Sequence, residues 1–119
     1  MTVTTMRTRS GEEFQAERIA GDGPGTTWQF SGHELLRLAD DRYMVHHWTR
    51  WPDRPDDWES LPQGNTRYAV ATWLLTNGYL DEARDLFGAD SPIMRDAVRM
   101  ARFYGIDTMI PRQPWESTR

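Results

Sequence analysis

The sequence predicts an α+β fold in which a three- or four-stranded antiparallel meander sheet is followed by three helices packed on one face. Three observations predict it. Extended, aromatic-rich runs separated by turn residues occupy residues 26–62, and helix boundary signals recur over residues 65–105. Hydrophobic residues make up 38% of the 119 positions, which suffices for one core, so we expect a single domain over residues 1–119.

The amino-terminal part carries few strong signals. Residues 1–10 are expected to be flexible, and at most a short helix is predicted over residues 12–19. Three β-rich runs follow, at residues 26–30, 33–38 and 43–49. They are separated by Ser31-Gly32 and Asp40-Asp41, which suit two-residue hairpin turns, and this pattern predicts the meander.

Two-residue turns would also fix which side chains share a face of the sheet. One face would carry the rows Phe30/His33/Trp48, Trp28/Leu35/His46 and Thr26/Arg37/Met44. The opposite face would pair Glu34 with His47. A slip of one residue at the second turn would exchange the contribution of the third strand between the two faces.

A stiff loop and three helices are predicted after the meander. Two prolines at positions 52 and 55 favour a rigid loop over residues 51–58, and residues 58–61 suit a short edge strand. The helices are predicted over residues 66–77 with Asn65 as N-cap, residues 80–87 stopped by Gly88, and residues from Pro92, capped by Ser91, to before Gly105. Residues 106–119 form a tail without hydrophobic periodicity.

Composition excludes several classes of function. Cysteine is absent, so disulfides, thiolate nucleophiles and Cys-ligated zinc are excluded. All 14 basic residues are arginine, and the net charge of -4 argues against a generally basic nucleic-acid coat. No apolar run approaches a membrane span and the start lacks the apolar core of a signal peptide, so we expect a cytoplasmic chain without membrane contact.

The loop after the third predicted strand is the first candidate binding site. Its candidate partner-binding residues are Arg50, Trp51, Arg54 and Trp58. Trp and Arg dominate the energetics of protein interfaces, and a proline-stiffened loop loses little entropy on docking. The alternative is that Trp48 and Trp58 belong to the core and that only Trp51 is exposed.

Arginines on the third predicted helix form a second candidate. Arg95, Arg99 and Arg102 recur at helical spacing and would form one stripe, suited to nucleic-acid phosphates or to an acidic partner. The surrounding residues 80–98 resemble a helix-turn-helix in outline, although the spacing of Ala83 and Gly88 departs from the usual pattern. An ordinary solvated helix and a helical hairpin explain the same residues.

The histidines form a third candidate. His33 and His46 beside aromatic rings would suit a small ligand, but no third metal ligand accompanies them in the pattern. The alternative is that these side chains pack in the core, and that Glu34 and His47 form a surface ion pair.

No nucleophile, phosphate-binding loop or metal spacing emerges, so we expect no catalytic residue, metal or cofactor and regard a non-enzyme as the better interpretation. The leading hypothesis is a protein-interaction module, encoded by a phage or mobile element and inhibiting a host protein or defence complex. The alternatives are a DNA-binding regulator of helix-turn-helix type, and a small enzyme or ligand-binding domain that uses His33 and His46. A protein partner is expected, with homodimerisation as a further option.

Overall fold

A computed structural model describes residues 3–7, 11–24, 27–53, 56–61, 66–105 and 110–116. Within these residues it contains five strands and three helices, which confirms the α+β class. The chain divides into two compact units, Met1–Thr66 and Arg67–Arg119, and each is described by itself. The single domain and the packing of the helices on one face of the sheet therefore stay predictions.

The first unit is an antiparallel sheet whose strands lie side by side in chain order. The strands are β1 (Val3–Arg7), β2 (Glu13–Gly21), β3 (Ser31–Leu38), β4 (Tyr43–Thr49) and β5 (Asp57–Ser60). The later strands confirm the meander and the edge strand, but the number of strands is five rather than three or four.

Two predictions for the amino-terminal part of the chain were wrong, the helix over residues 12–19 and the strand over residues 26–30 with its turn at Ser31-Gly32, since these two residues begin β3. The flexibility of residues 1–10 stays a prediction. Residues 12–19 hold most of β2 instead of a helix, residues 3–7 form β1, and residues 27–30 belong to no strand. Glutamate, glutamine, alanine and arginine between Glu12 and Arg18 favour helices locally, but pairing with strands on both sides outweighs that preference.

The predicted turn at Asp40-Asp41 was also wrong, by one residue. Leu38 and Arg42 close a three-residue loop, with the Leu38 N–H donating to the Arg42 carbonyl at 2.8 Å. Asp41 takes a positive φ of 61°, the left-handed conformation that such loops require and that aspartate tolerates. Glu34 therefore pairs with His46, and His33 pairs with His47.

A bulge in β2 brings two further positions onto one face. The register of β2 against β3 shifts between Arg18 and Ala20, so that Arg18 pairs with Leu36 and Gly21 pairs with Glu34. Gly21 has a φ of 89°, and a Cβ there would lie 2.3 Å from the carbonyl oxygen of His33. Only glycine fits at this point of the sheet.

The sheet curls. Phe14 on β2 and Trp58 on β5 contact edge to face, with 5.8 Å between ring centroids, although β3 and β4 lie between their strands. In a flat sheet, three strand spacings would separate such positions by about 14 Å. The face that carries Phe14, Glu34, His46 and Trp58 is therefore concave, and we call it the concave face.

The second unit contains the three predicted helices, α1 (Thr66–Thr76), α2 (Leu80–Phe87) and α3 (Pro92–Phe103). Ser91 caps α3 as predicted, its hydroxyl accepting from the Met94 N–H at 3.2 Å, and Pro92 occupies the first turn. Gly88 follows α2 with a positive φ of 90°. The predicted cap Asn65 lies outside the described residues.

Candidate functional site

Four charged side chains form a hydrogen-bonded network on the concave face. His46 Nδ1 lies 2.9 Å from Glu34 Oε2, and His46 Nε2 lies 2.8 Å from Asp56 Oδ2. The Arg18 Nε–H donates to the other oxygen of Glu34 at 2.9 Å. Glu34 and His46 are almost fully buried, with 1% and 3% of their surface exposed.

The strand register positions this network. Gly21, Glu34, His46 and Trp58 form one cross-strand row over β2 to β5. The β2 bulge brings Arg18 alongside Glu34, and the chain just before β5 supplies Asp56. The network thus joins groups from three strands and a loop.

Glycines make room around the network. A Cβ at the buried Gly23 would lie 2.5 Å from Arg18 Nη2 and 3.1 Å from Glu34 Oε1. A Cβ at Gly32 would lie 2.6 Å from the ring of Trp48, whose indole N–H donates to the Asp22 carbonyl at 2.5 Å. The loop after β2 is therefore packed closely against the end of this face.

The geometry defines the charge of the histidine. An ionised carboxylate only accepts hydrogen bonds, so a ring that meets one carboxylate at each nitrogen donates from both and is an imidazolium. Burial lowers the pKa of His46, but the hydrogen bonds to Glu34 and Asp56 outweigh burial and raise it above its ordinary value. Burial likewise raises the pKa of Glu34, but hydrogen bonds to His46 and Arg18 outweigh this and lower it.

This arrangement suits support of the sheet better than proton transfer. Both ring nitrogens of His46 are occupied within the network, and the indole of Trp58 stacks on the imidazolium at 4.1 Å with an interplanar angle of 17°. Two cations and two carboxylates balance, which offsets the cost of burying them. Among the described residues, no group of three or more His, Asp or Glu is placed to hold a metal ion.

An open cleft of about 770 Å³ adjoins the network on the concave face. Its lining residues come from the first unit: Glu12, Phe14, Gln15, Leu38, Ala39, Asp40, Arg42, Met44, Asp56, Asp57 and Trp58. Asp56 and Trp58 belong both to the cleft and to the contacts of His46. The cleft therefore ends where the charged network begins.

A second feature of this unit is a group of exposed rings, Trp28, Phe30 and Trp51, which we call the aromatic platform. Phe30 and Trp51 stack with 5.2 Å between centroids, and Trp28 is 92% exposed. Arg50 fixes the segment that carries them, because its Nη2 donates to the carbonyls of Pro24 and Thr27.

The structure separates the residues predicted for partner binding. Trp51 is exposed, whereas Trp58 is half-buried against His46 and Phe14. The guanidinium of Arg50 donates to backbone carbonyls of its own chain. Arg54 lies outside the described residues.

The histidine prediction was wrong in its register. His33 and His46 lie on opposite faces of the sheet, and His33 instead lies near His47 with 6.3 Å between ring centroids. Glu34 meets His46 in the interior rather than His47 at the surface. Sequence reasoning missed Arg18 and Asp56, and only the alternation of Phe14, Ala16 and Arg18 could have placed Arg18 on this face.

Each arginine of the predicted stripe on α3 has a carboxylate neighbour. Arg95 Nε lies 2.5 Å from Asp90 Oδ1, and Arg99 Nη1 lies 3.5 Å from Asp96 Oδ1. These pairs reduce the positive charge that the helix offers to phosphates.

Arg102, the third residue of the stripe, binds the tail of its own unit. Its Nη2 lies 3.0 Å from both carboxylate oxygens of Glu116, and its Nη1 donates to the Ile110 carbonyl at 3.0 Å. The side chain of Glu116 is only 7% exposed. Arg102 thus joins α3 to residues 110–116.

Comparisons with known proteins give no family. No family model matches the chain, and searches of curated proteins and of solved structures found no match. None of the helices in the described part of the chain is long and apolar enough to cross a membrane.

Proposed function

We propose that the protein is a non-catalytic protein-interaction module that binds its partner through the aromatic platform. The observation that carries this proposal is the stacked, exposed pair of Phe30 and Trp51, together with Trp28 at 92% exposure. Large aromatic side chains are expensive to leave in water, and contiguous exposed apolar patches in soluble proteins commonly mark interfaces.

The platform is also preorganised. Arg50 holds the carbonyls of Pro24 and Thr27, its backbone N–H donates to the Phe30 carbonyl at 2.7 Å, and its guanidinium lies 5.8 Å from the ring centroid of Trp48. A partner that docks here meets a backbone held by Arg50 and a stacked pair of rings, so binding costs less conformational entropy. Arg50 therefore supports binding from beneath the platform.

The competing functions have weaker support. A DNA-binding role needs cations directed outward, and the three arginines of the α3 stripe have Asp90, Asp96 and Glu116 as neighbours. An acid–base enzyme at His46 would need a ring nitrogen facing a substrate, and both are occupied. Inhibition of a host protein or defence complex by a mobile element's product stays a prediction.

The test begins with identification of a partner by affinity capture and continues with the purified pair. Trp51→Ala and Phe30→Ala should each weaken binding by roughly 30-fold, the effect of losing a central interface residue. Phe103→Ala is the matched control, since Phe103 is an aromatic residue with 78% exposure on α3, outside the platform. Equal binding by all variants would overturn the proposal.

Sedimentation of the purified chain tests whether the aromatic platform binds a second copy of the same chain. If the chain is monomeric at concentrations where it binds the captured protein, the result supports a different protein as the partner. Self-association that Trp51→Ala abolishes would overturn it and assign the platform to a homodimer.

A further inference from the structure

The cleft on the concave face is separate from the aromatic platform, since none of the platform rings lines it. We propose that this cleft binds a small organic cation, an ammonium group carried on an apolar or aromatic body. Its volume of about 770 Å³ lies within the range of small-molecule sites, about 300–1,000 Å³.

The walls of the cleft suit the apolar part of such a ligand. Phe14 and Trp58 meet edge to face at 5.8 Å, and Leu38 and Met44 lie along the same face between their strands. Aromatic rings attract cations through the negative potential of their faces, and tryptophan does so most strongly. The methionine thioether adapts to ligands of different shape.

The charges of the lining residues determine whether the cleft favours a positive or a negative ligand. The described part of the lining contains four carboxylates, those of Glu12, Asp40, Asp56 and Asp57. Among the described residues that line the cleft, the one cation is Arg42, and it is paired with Asp40 at 2.5 Å. The negative potential of this group favours a cation and repels an anion.

Asp57 is the carboxylate best placed to act on a ligand. Asp56 is engaged by His46 and by the backbone N–H of Thr49, at 2.8 Å and 3.2 Å. Asp57 is exposed at the start of β5, where its Oδ1 accepts from the backbone N–H of Trp58 at 2.9 Å. That bond fixes the carboxylate at the backbone of Trp58 and leaves acceptor positions for an ammonium group.

The test compares three probes of similar size: the cation benzylammonium, the neutral benzyl alcohol and the anionic phenylacetate. Binding is followed by shifts of the amide and indole signals in the nuclear magnetic resonance spectrum of the intact chain. We expect the cation to shift the signals of Phe14, Met44 and Trp58 saturably, with a dissociation constant below about 1 mM. Benzyl alcohol should bind more weakly, and phenylacetate more weakly still.

Two matched substitutions locate the site. Asp57→Asn should weaken binding of the cation by roughly threefold to tenfold, as expected for one partly exposed charge. Asp53→Asn makes the same chemical change at an exposed position outside the cleft and should leave affinity unchanged.

Trp58→Leu should abolish binding of the cation in a variant whose amide spectrum shows that it is folded. If phenylacetate bound as tightly as the cation, or if Asp53→Asn and Asp57→Asn had equal effects, the proposal would be overturned. Absence of saturable shifts in a folded wild-type protein at about 10 mM cation would overturn it too.

Discussion

Glu34 and His46 occupy directly opposite positions on β3 and β4, and their side chains are joined at 2.9 Å in the interior of the protein. Cross-strand pairs of this kind are the unit of sheet stabilisation. Here the pair also carries opposite charges, and Arg18 and Asp56 extend it on both sides. The stability of the sheet therefore depends on the protonation of this network.

The first prediction is a pH dependence of folding. The pKa of His46 is raised above its ordinary 6.5, so its stabilising effect is complete below about pH 6.5 and is lost as pH rises through the folded-state value. The pKa of Glu34 is lowered below 4.5, so its contribution is present above about pH 4.5 and is lost as pH falls through its folded-state value. The free energy of unfolding, measured by urea titration, should be greatest between these limits and decline on either side.

Substitution separates this network from the other histidines. His46→Gln should lower the free energy of unfolding by about 3 kcal/mol near pH 6, because it removes the cation that Glu34 and Asp56 share and leaves only Arg18 to balance them. His47→Gln, at a side chain that is 45% exposed, should change it by less than about 0.5 kcal/mol. An unchanged pH profile in His46→Gln would contradict the assignment of the alkaline decline to this residue.

The helical part of the fold could be predicted because its signals are local. Ser91, Pro92 and Gly88 each act on backbone groups within a few residues, and α2 ends and α3 begins where these residues indicate. The sheet depends on non-local pairing. A helix-favouring segment becomes β2 through its partners, and the left-handed Asp41 shifts every later pairing by one residue.

The one-residue shift in the pairing of β3 with β4 explains why the sequence predicts the candidate site only in part. His46 and Glu34 were both singled out, but the two-residue turn placed them on opposite faces. Asp56 reaches His46 from a loop whose course no periodicity describes. Trp51 is predicted as a binding residue from its residue type and its proline-stiffened loop, whereas its stacking partner Phe30 is assigned to a strand.

The second prediction concerns the close packing of Gly32 beneath Trp48. Gly32→Ala would place a methyl group 2.6 Å from an indole that is 2% exposed and tied to the Asp22 carbonyl. We expect a loss of about 2 kcal/mol in the free energy of unfolding. Ser31→Ala, one residue earlier on the same strand and exposed, should have little effect, and an equal loss in both variants would argue against this contact.

The third prediction separates backbone strain from collision. Gly21 and Gly11 both have φ near +90°, but a Cβ at Gly21 would meet the carbonyl of His33, whereas one at Gly11 has no neighbour within 4 Å. Gly11→Ala should cost about 1–2 kcal/mol through strain alone. Gly21→Ala should cost at least about 2 kcal/mol more, by thermal or urea denaturation. Similar losses of unfolding free energy in the two variants would show that the backbone of β2 and β3 moves apart at little cost.

The last prediction assigns the arginines of α3 different roles. Arg102 binds both oxygens of Glu116 and the carbonyl of Ile110, and its side chain is 24% exposed, so Arg102→Ala should weaken the attachment of residues 110–116 to α3. We expect a loss of about 2 kcal/mol, together with faster cleavage of that segment in limited proteolysis. Arg99→Ala should cost less than about 0.5 kcal/mol, since Arg99 is 74% exposed with Asp96 at 3.5 Å. If Arg102→Ala left both stability and proteolysis unchanged, its guanidinium would be available for an external partner, and the nucleic-acid hypothesis for α3 would regain support.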